Sequence, residues 1–151
     1  PAGIDAGQRL KLRGEGERIA DGPPGDLYVE IAIQPHAIFK RQDTELVCEV
    51  PITYCQATLG AEVEVPTLSG ALTMKIPPGT PSGKVFRLRG KGIVDMHTGR
   101  LGDQHVRTYV YVPQSVSERQ RELLEELSKI EGKPTANESR SFFEKVKEFF
   151  D

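Results

Sequence analysis

The chain states one pattern twice. Residues 1–16 read PAGIDAGQRLKLRGEG and residues 77–92 read PPGTPSGKVFRLRGKG; Gly3/Gly79, Gly7/Gly83, Leu12/Leu88, Arg13/Arg89, Gly14/Gly90 and Gly16/Gly92 coincide at one constant offset. Further on, Gly25-Asp26 before LYVEIAIQP matches Gly102-Asp103 before QHVRTYVYVP. Two related β units are therefore expected. A strand-like run, ALTMKI, leads into the second copy, whereas the first copy opens without one, so the first is expected to be truncated. An incomplete sandwich exposes apolar surface and an unpaired strand edge. That predicts residues 1–35 to be disordered, exchanged with a neighbour or covered by another molecule.

Strands are legible from period-two alternation. Gln8–Arg13 places Leu10 and Leu12 on one side before the turn at Gly14 and Gly16; from Asp26, Leu27, Val29, Ile31 and Ile33 share one face until Pro35. The span 36–45, HAIFKRQDTE, reads as a connector between the units. Glu45–Val50 alternates again, through Leu46, Cys48 and Val50. Pro51–Leu59 loses that period and is expected to be a short helical turn stopped by Gly60. Glu62–Val65 and Ala71–Ile76 flank TLSG as a hairpin, and Lys84–Arg89 and His105–Val112 supply two more strands. Short strands separated by turn residues predict a mainly β chain with two consecutive β-sandwich or barrel-like domains, the first truncated.

After Pro113 the period changes. Ser117 and Gln120 fit a capping box, and Leu123, Leu124, Leu127 and Ile130 form an apolar stripe with a Glu125–Lys129 pair beside it. Gly132 and Pro134 stop this helix, and Ser141–Phe150, with four phenylalanines and Val146, predicts a second short helix whose apolar face must dock on something.

Twenty Lys/Arg against twenty-two Asp/Glu leave no basic excess to neutralise phosphates, so nucleic acid is not an expected partner. No run is long and apolar enough to span a bilayer. Cys48 and Cys55 lack CxxC spacing and read as small hydrophobes in a reducing cytoplasm. His36, His97 and His105 are scattered without metal-ligand spacing, and no GxSxG, HExxH, Walker or dinucleotide motif occurs. RGEG, RGKG, Asp26 and Asp103 recur at equivalent points of both copies. An enzyme places its special groups once, so these pairs read as turn architecture, and no catalytic residue, metal or cofactor is expected.

PAGIDAGQRLKLRGEGE, GDLYVEIAIQPHAIFKR, CEVPITYCQATLGAEVEVPTL, GKVFRLRGKG and ERQRELLEEL, followed by RSFFEKVKEFFD, closely resemble the C-terminal region of the class A J-proteins, the bacterial DnaJ family. The resemblance covers essentially the whole chain. It implies two β domains in series, 1–35 being a remnant of the first and 36–113 the second, with C-terminal dimerisation helices in 114–151. It also implies binding of unfolded polypeptide, with full-length members delivering clients to the ATPase chaperone DnaK. Neither the family's J domain nor its CxxC zinc module is in this sequence, so no ATPase stimulation and no zinc are expected of it. In the family the peptide pocket lies in the first β domain. Val29 is the pocket position that carries over, where eukaryotic relatives have an aromatic residue; Leu10, Leu12, Leu27 and Ile31 are candidates as its neighbours by alternation. Where HPIFxRxGxDL is common, this chain has HAIFKRQDTEL, with Ala37 and Gln42 read as replacing the proline and the glycine.

The expected function is a non-enzymatic, cytoplasmic co-chaperone module that binds non-native polypeptide and forms a homodimer through Leu123, Leu124, Leu127 and Ile130. The competing reading is a purely structural dimerisation and spacer module whose peptide pocket is incomplete.

Overall fold

A computed structural model describes residues 1–18 and 22–131, so the Phe-rich segment expected as a second helix, and the Gly132 and Pro134 stop signals, lie outside the described residues. The chain divides into two compact units, Pro1–Val112 and Pro113–Asp151. In the first unit the strands are β1 (Arg9–Leu12), β2 (Leu27–Glu30), β3 (Lys40–Gln42), β4 (Glu45–Ile52), β5 (Ala61–Thr67), β6 (Gly70–Ile76), β7 (Val85–Leu88) and β8 (Gln104–Val110), with helix α1 at Tyr54–Leu59. They form a four-stranded sheet in the order β3-β4-β8-β7 and two ribbons, β1-β2 and β5-β6. The second unit contains α2, Glu118–Glu131.

The core follows from the alternation. Leu46, Cys48, Val50 and Ile52 of β4 are buried on one face, beside Val106 of β8, and Val65, Met74 and Ile76 of the β5-β6 ribbon share the same cluster. β4 and β8 run parallel, Leu46 opposite Gln104 through Ile52 opposite Val110. Gln104 is fully buried and links the layers: its Nε2 donates to the Pro66 carbonyl at 2.8 Å and lies 3.3 Å from Cys48 Sγ. Its Oε1 is buried with no hydrogen-bond partner among the described residues. Burial pushes the Cys48 thiol pKa up, opposed by the Gln104 contact. Helix α1 ends at Gly60 as the sequence predicts, but it starts later than Pro51, at a capping box between Thr53 and Gln56, because β4 runs on to Ile52. Pro51 lies inside β4, but β3 pairs only with Glu45–Val47, so beside Pro51 no ladder donor is needed on that edge.

The internal repeat is geometrical as well as textual. In the first copy the Gly14 N–H donates to Asp26 Oδ1 at 3.1 Å, and in the second the Gly90 N–H donates to Asp103 Oδ1 at 2.7 Å. Gly16 N–H to Gly25 O (2.8 Å) matches Gly92 N–H to Gly102 O (2.9 Å), and Gly7 N–H to Ile31 O (2.8 Å) matches Gly83 N–H to Thr108 O (2.7 Å). Each aspartate also pairs with a cation on the preceding strand, Lys11 at 2.6 Å and Arg87 at 3.4 Å. The RGxG–GD pattern is thus one clasp used twice: the first glycine offers its amide to the aspartate, and the second lies against the glycine before it. A Cβ on Gly16 would stand 2.7 Å from the Gly25 carbonyl carbon, and one on Gly92 2.5 Å from that of Gly102.

Three expectations need correction. Of the outcomes expected for residues 1–35, disorder does not hold for residues 1–18 and 22–35: β1 and β2 pair as an antiparallel ribbon closed by the clasp, whose local bonds supply the order that a complete sheet was expected to provide. The connector contains β3, an edge strand whose three polar residues carry no apolar alternation to reveal it. In the β3–β4 turn, the residue with positive φ (53°) is Asp43, so the glycine of the family pattern is replaced there and not at Gln42. Aspartate is among the few side chains that tolerate this conformation.

Candidate functional site

The register of the first ribbon brings the five candidate peptide-contacting residues together. Leu10 stands opposite Val29 and Leu12 opposite Leu27, so these four side chains share one face of the pleat. Ile31 extends the row, its N–H donating to the Gln8 carbonyl at 2.9 Å. Leu12 and Leu27 are 44% and 43% exposed, while Leu10, Val29 and Ile31 are half-buried. The other face is charged. Arg9 reaches Glu30 at 3.4 Å, and Lys11 lies 5.6 Å from the Tyr28 ring centroid while bonding Asp26. The Lys11 ammonium, then the Gly14 amide, hold the Asp26 carboxyl pKa below its ordinary value.

The two copies differ at the outer edge of the second clasp strand. In the second copy β8 pairs with β7 on one side and with β4 on the other, whereas β2 pairs with β1 alone among the described residues.

A second apolar feature escaped the sequence reading. A cleft of about 540 Å³ opens beside the connector, lined by Ile33, His36, Phe39, Leu46, Leu68 and Ile93 among others. Its signal was weak because Leu68 is an isolated apolar residue in a turn, and turn residues are normally polar. His36 serves the local structure: its Nδ1 accepts from the Ile38 and Phe39 amides at 3.1 and 3.3 Å. His105 contacts Glu45 at 2.8 Å, and the His97 amide donates to Asp95 Oδ1 at 2.9 Å. Among the described residues no three His, Cys, Asp or Glu side chains gather in a way that could hold a metal ion.

On α2 the capping box forms as expected. The Ser117 N–H donates to Gln120 Oε1 at 2.9 Å, and the Gln120 N–H donates to Ser117 Oγ at 3.2 Å. None of its residues is buried. Leu123, Leu124 and Ile130 are 47%, 51% and 82% exposed and Leu127 is half-buried, so the four dimer candidates form an exposed row on successive turns.

Residues 1–113, which hold both clasps and the ribbon, match the family described as DnaJ C terminal domain. The chain belongs to that family. Residues 119–151 match a second DnaJ family description, the Chaperone protein DnaJ C-terminal region. Similar DnaJ relatives, each named Chaperone protein DnaJ, include that of Opitutus terrae, 50% identical over 151 residues and 99% of this chain. That of Ruminiclostridium cellulolyticum is 48% identical over the same share, and that of Vesicomyosocius okutanii 49% identical over all of the chain. The chain spans about 40% of the length of these DnaJ relatives. Membership in a chaperone family fits a ribbon with one apolar face. No helix among the described residues is long and apolar enough to cross a membrane.

Proposed function

We propose that the chain is a non-enzymatic chaperone module that holds non-native polypeptide on the Leu10–Leu12–Leu27–Val29–Ile31 face and dimerises through α2. The observation that carries this reading is the placement of all five residues on one face of the β1-β2 ribbon, with Leu12 and Leu27 exposed there. An extended client would gain apolar contact from that face, and such contact needs no defined client sequence. Residues 1–35 thus act as the grip, 36–113 as the supporting domain and 114–151 as the dimer element. Two linked grips would raise avidity without any new contact. In the full-length protein we assign it the delivery of clients to a DnaK-type ATPase in the cytoplasm, without cofactor, nucleic acid or membrane as partner.

Titrating a fluorescently labelled unfolded protein against the chain tests the grip. We expect saturable binding that Val29→Asp weakens by about tenfold or more, with the far-UV spectrum unchanged, because a carboxylate in an apolar contact must be desolvated. The absence of saturable binding to the wild-type chain would favour the spacer reading instead.

Sedimentation tests the dimer separately. Wild-type chain should sediment as a concentration-dependent dimer, and Leu127→Asp as a monomer at every concentration. Identical behaviour of the two would remove α2 from the interface.

A further inference from the structure

We propose that Arg41 is the positioning residue that fixes the pose of the β1-β2 ribbon against the second copy, and with it the direction in which the apolar face is presented. The argument starts from the second copy. There the loop before β7 is held by α1: the Gly79 N–H donates to Thr58 O at 3.1 Å and the Thr80 N–H to Ala57 O at 2.9 Å. The equivalent residues before β1 are Gly3 and Ile4. Their carbonyls are taken by one side chain. Arg41 Nη1 donates to Ile4 O at 2.8 Å and Nη2 to Gly3 O at 3.0 Å, and the same Nη2 pairs with the Asp5 carboxylate. Its Nε donates to Asp43 O at 2.7 Å, which fixes the guanidinium to the turn of its own hairpin.

This one planar group therefore joins three consecutive residues of the first copy to the edge strand of the second. Two further contacts make the joint directional. Gly3 is seated so closely that a Cβ there would lie 2.0 Å from the Val94 carbonyl oxygen. Downstream, Gly7 N–H bonds Ile31 O and Ile31 N–H bonds Gln8 O, tying the anchored loop to the end of β2. A shift at Arg41 is thus carried into both strands of the ribbon. Lysine would keep the charge, but it is a point donor on a flexible stem and cannot hold two carbonyls and its own turn together.

The test uses the whole chain with Cys55→Ser and spin labels on cysteines replacing the exposed Glu30 and Thr73, diluted with unlabelled chain so that any dimer carries one labelled copy. Pulsed electron paramagnetic resonance should give one narrow distance in this parent and an about twofold wider distribution in Arg41→Lys. Amide exchange at Gly7 and Ile31 should quicken while that of β4 and β8 stays unchanged. Asp5→Asn, which removes the ion pair but leaves the two carbonyl bonds, should fall between parent and Arg41→Lys. An unchanged width in Arg41→Lys would overturn the proposal. So would a general loss of β4 and β8 protection, which would make Arg41 a stability residue. These readouts concern pose alone, so they stand apart from whether the ribbon binds a client.

Discussion

Gly92→Ala is expected to destabilise the first unit by about 3 kcal/mol or more, near the upper end of what overpacking costs. The cause is contact with main chain from two directions. A Cβ at Gly92 would lie 2.4 Å from Thr44 O, 2.5 Å from Gly102 C and 2.7 Å from Asp103 N. None of these atoms can rotate aside as a side chain would. They also belong to bonds the clasp needs, since Gly92 N–H donates to Gly102 O and Ile93 N–H to Thr44 O. Gly90→Ala is the discriminating control. Gly90 has φ of 64° but no atom within 4 Å of its would-be Cβ, so only backbone strain of about 1–2 kcal/mol applies. Urea unfolding of both variants measures the difference. Equal losses would mean that φ, and not the close approach of Gly102, governs the motif.

Ile76→Ala is expected to cost about 3 kcal/mol, within the range for truncating a fully buried aliphatic side chain. Ile76 is fully buried at the end of β6, in the cluster that joins the β5-β6 ribbon to β4 and β8. A void there loses contacts in both layers at once, and rigid strands close over it poorly. Leu72→Ala on the same strand, at a residue 36% exposed, should change stability by only about 0.5 kcal/mol. Thermal and urea unfolding of the two variants provide the comparison. Comparable losses at the two positions would show that the ribbon is not seated through Ile76.

What could be read before the structure depended on how local the determinant was. The clasp was legible because its parts are glycines and an aspartate at fixed separations, and short-range geometry imposes such spacing. Helix α1 and the β5-β6 hairpin were legible for the same reason, through Gly60 and the TLSG turn. β3 was not, because Lys40, Arg41 and Gln42 form an edge strand with no buried face to impose alternation. The parallel pairing of β4 with β8 joins segments more than fifty residues apart, Leu46 to Gln104 at its start, and neither strand names its neighbour. At the candidate site, alternation already placed Leu10 with Leu12 and Leu27 with Val29 and Ile31. The direct opposition of the two rows needed the register of the ribbon. The role of Arg41 carries no local sequence signal, since its partners lie 36 to 38 residues earlier.

The buried amide of Gln104 bears on uniqueness as much as on strength. Burying a polar amide costs free energy that an aliphatic residue would not, yet the Nε2 contact with Pro66 O exists in one alignment of β8 only. Sliding β8 by a single residue would turn His105, Arg107 and Tyr109 inward and take the amide out of reach of Pro66. A strand that alternates as regularly as β8 has near-miss registers open to it, each exposing the wrong side chains to the core of its domain. A polar lock inside its own core lets it tell its native strand order from every near miss, at the expense of a slightly less stable fold.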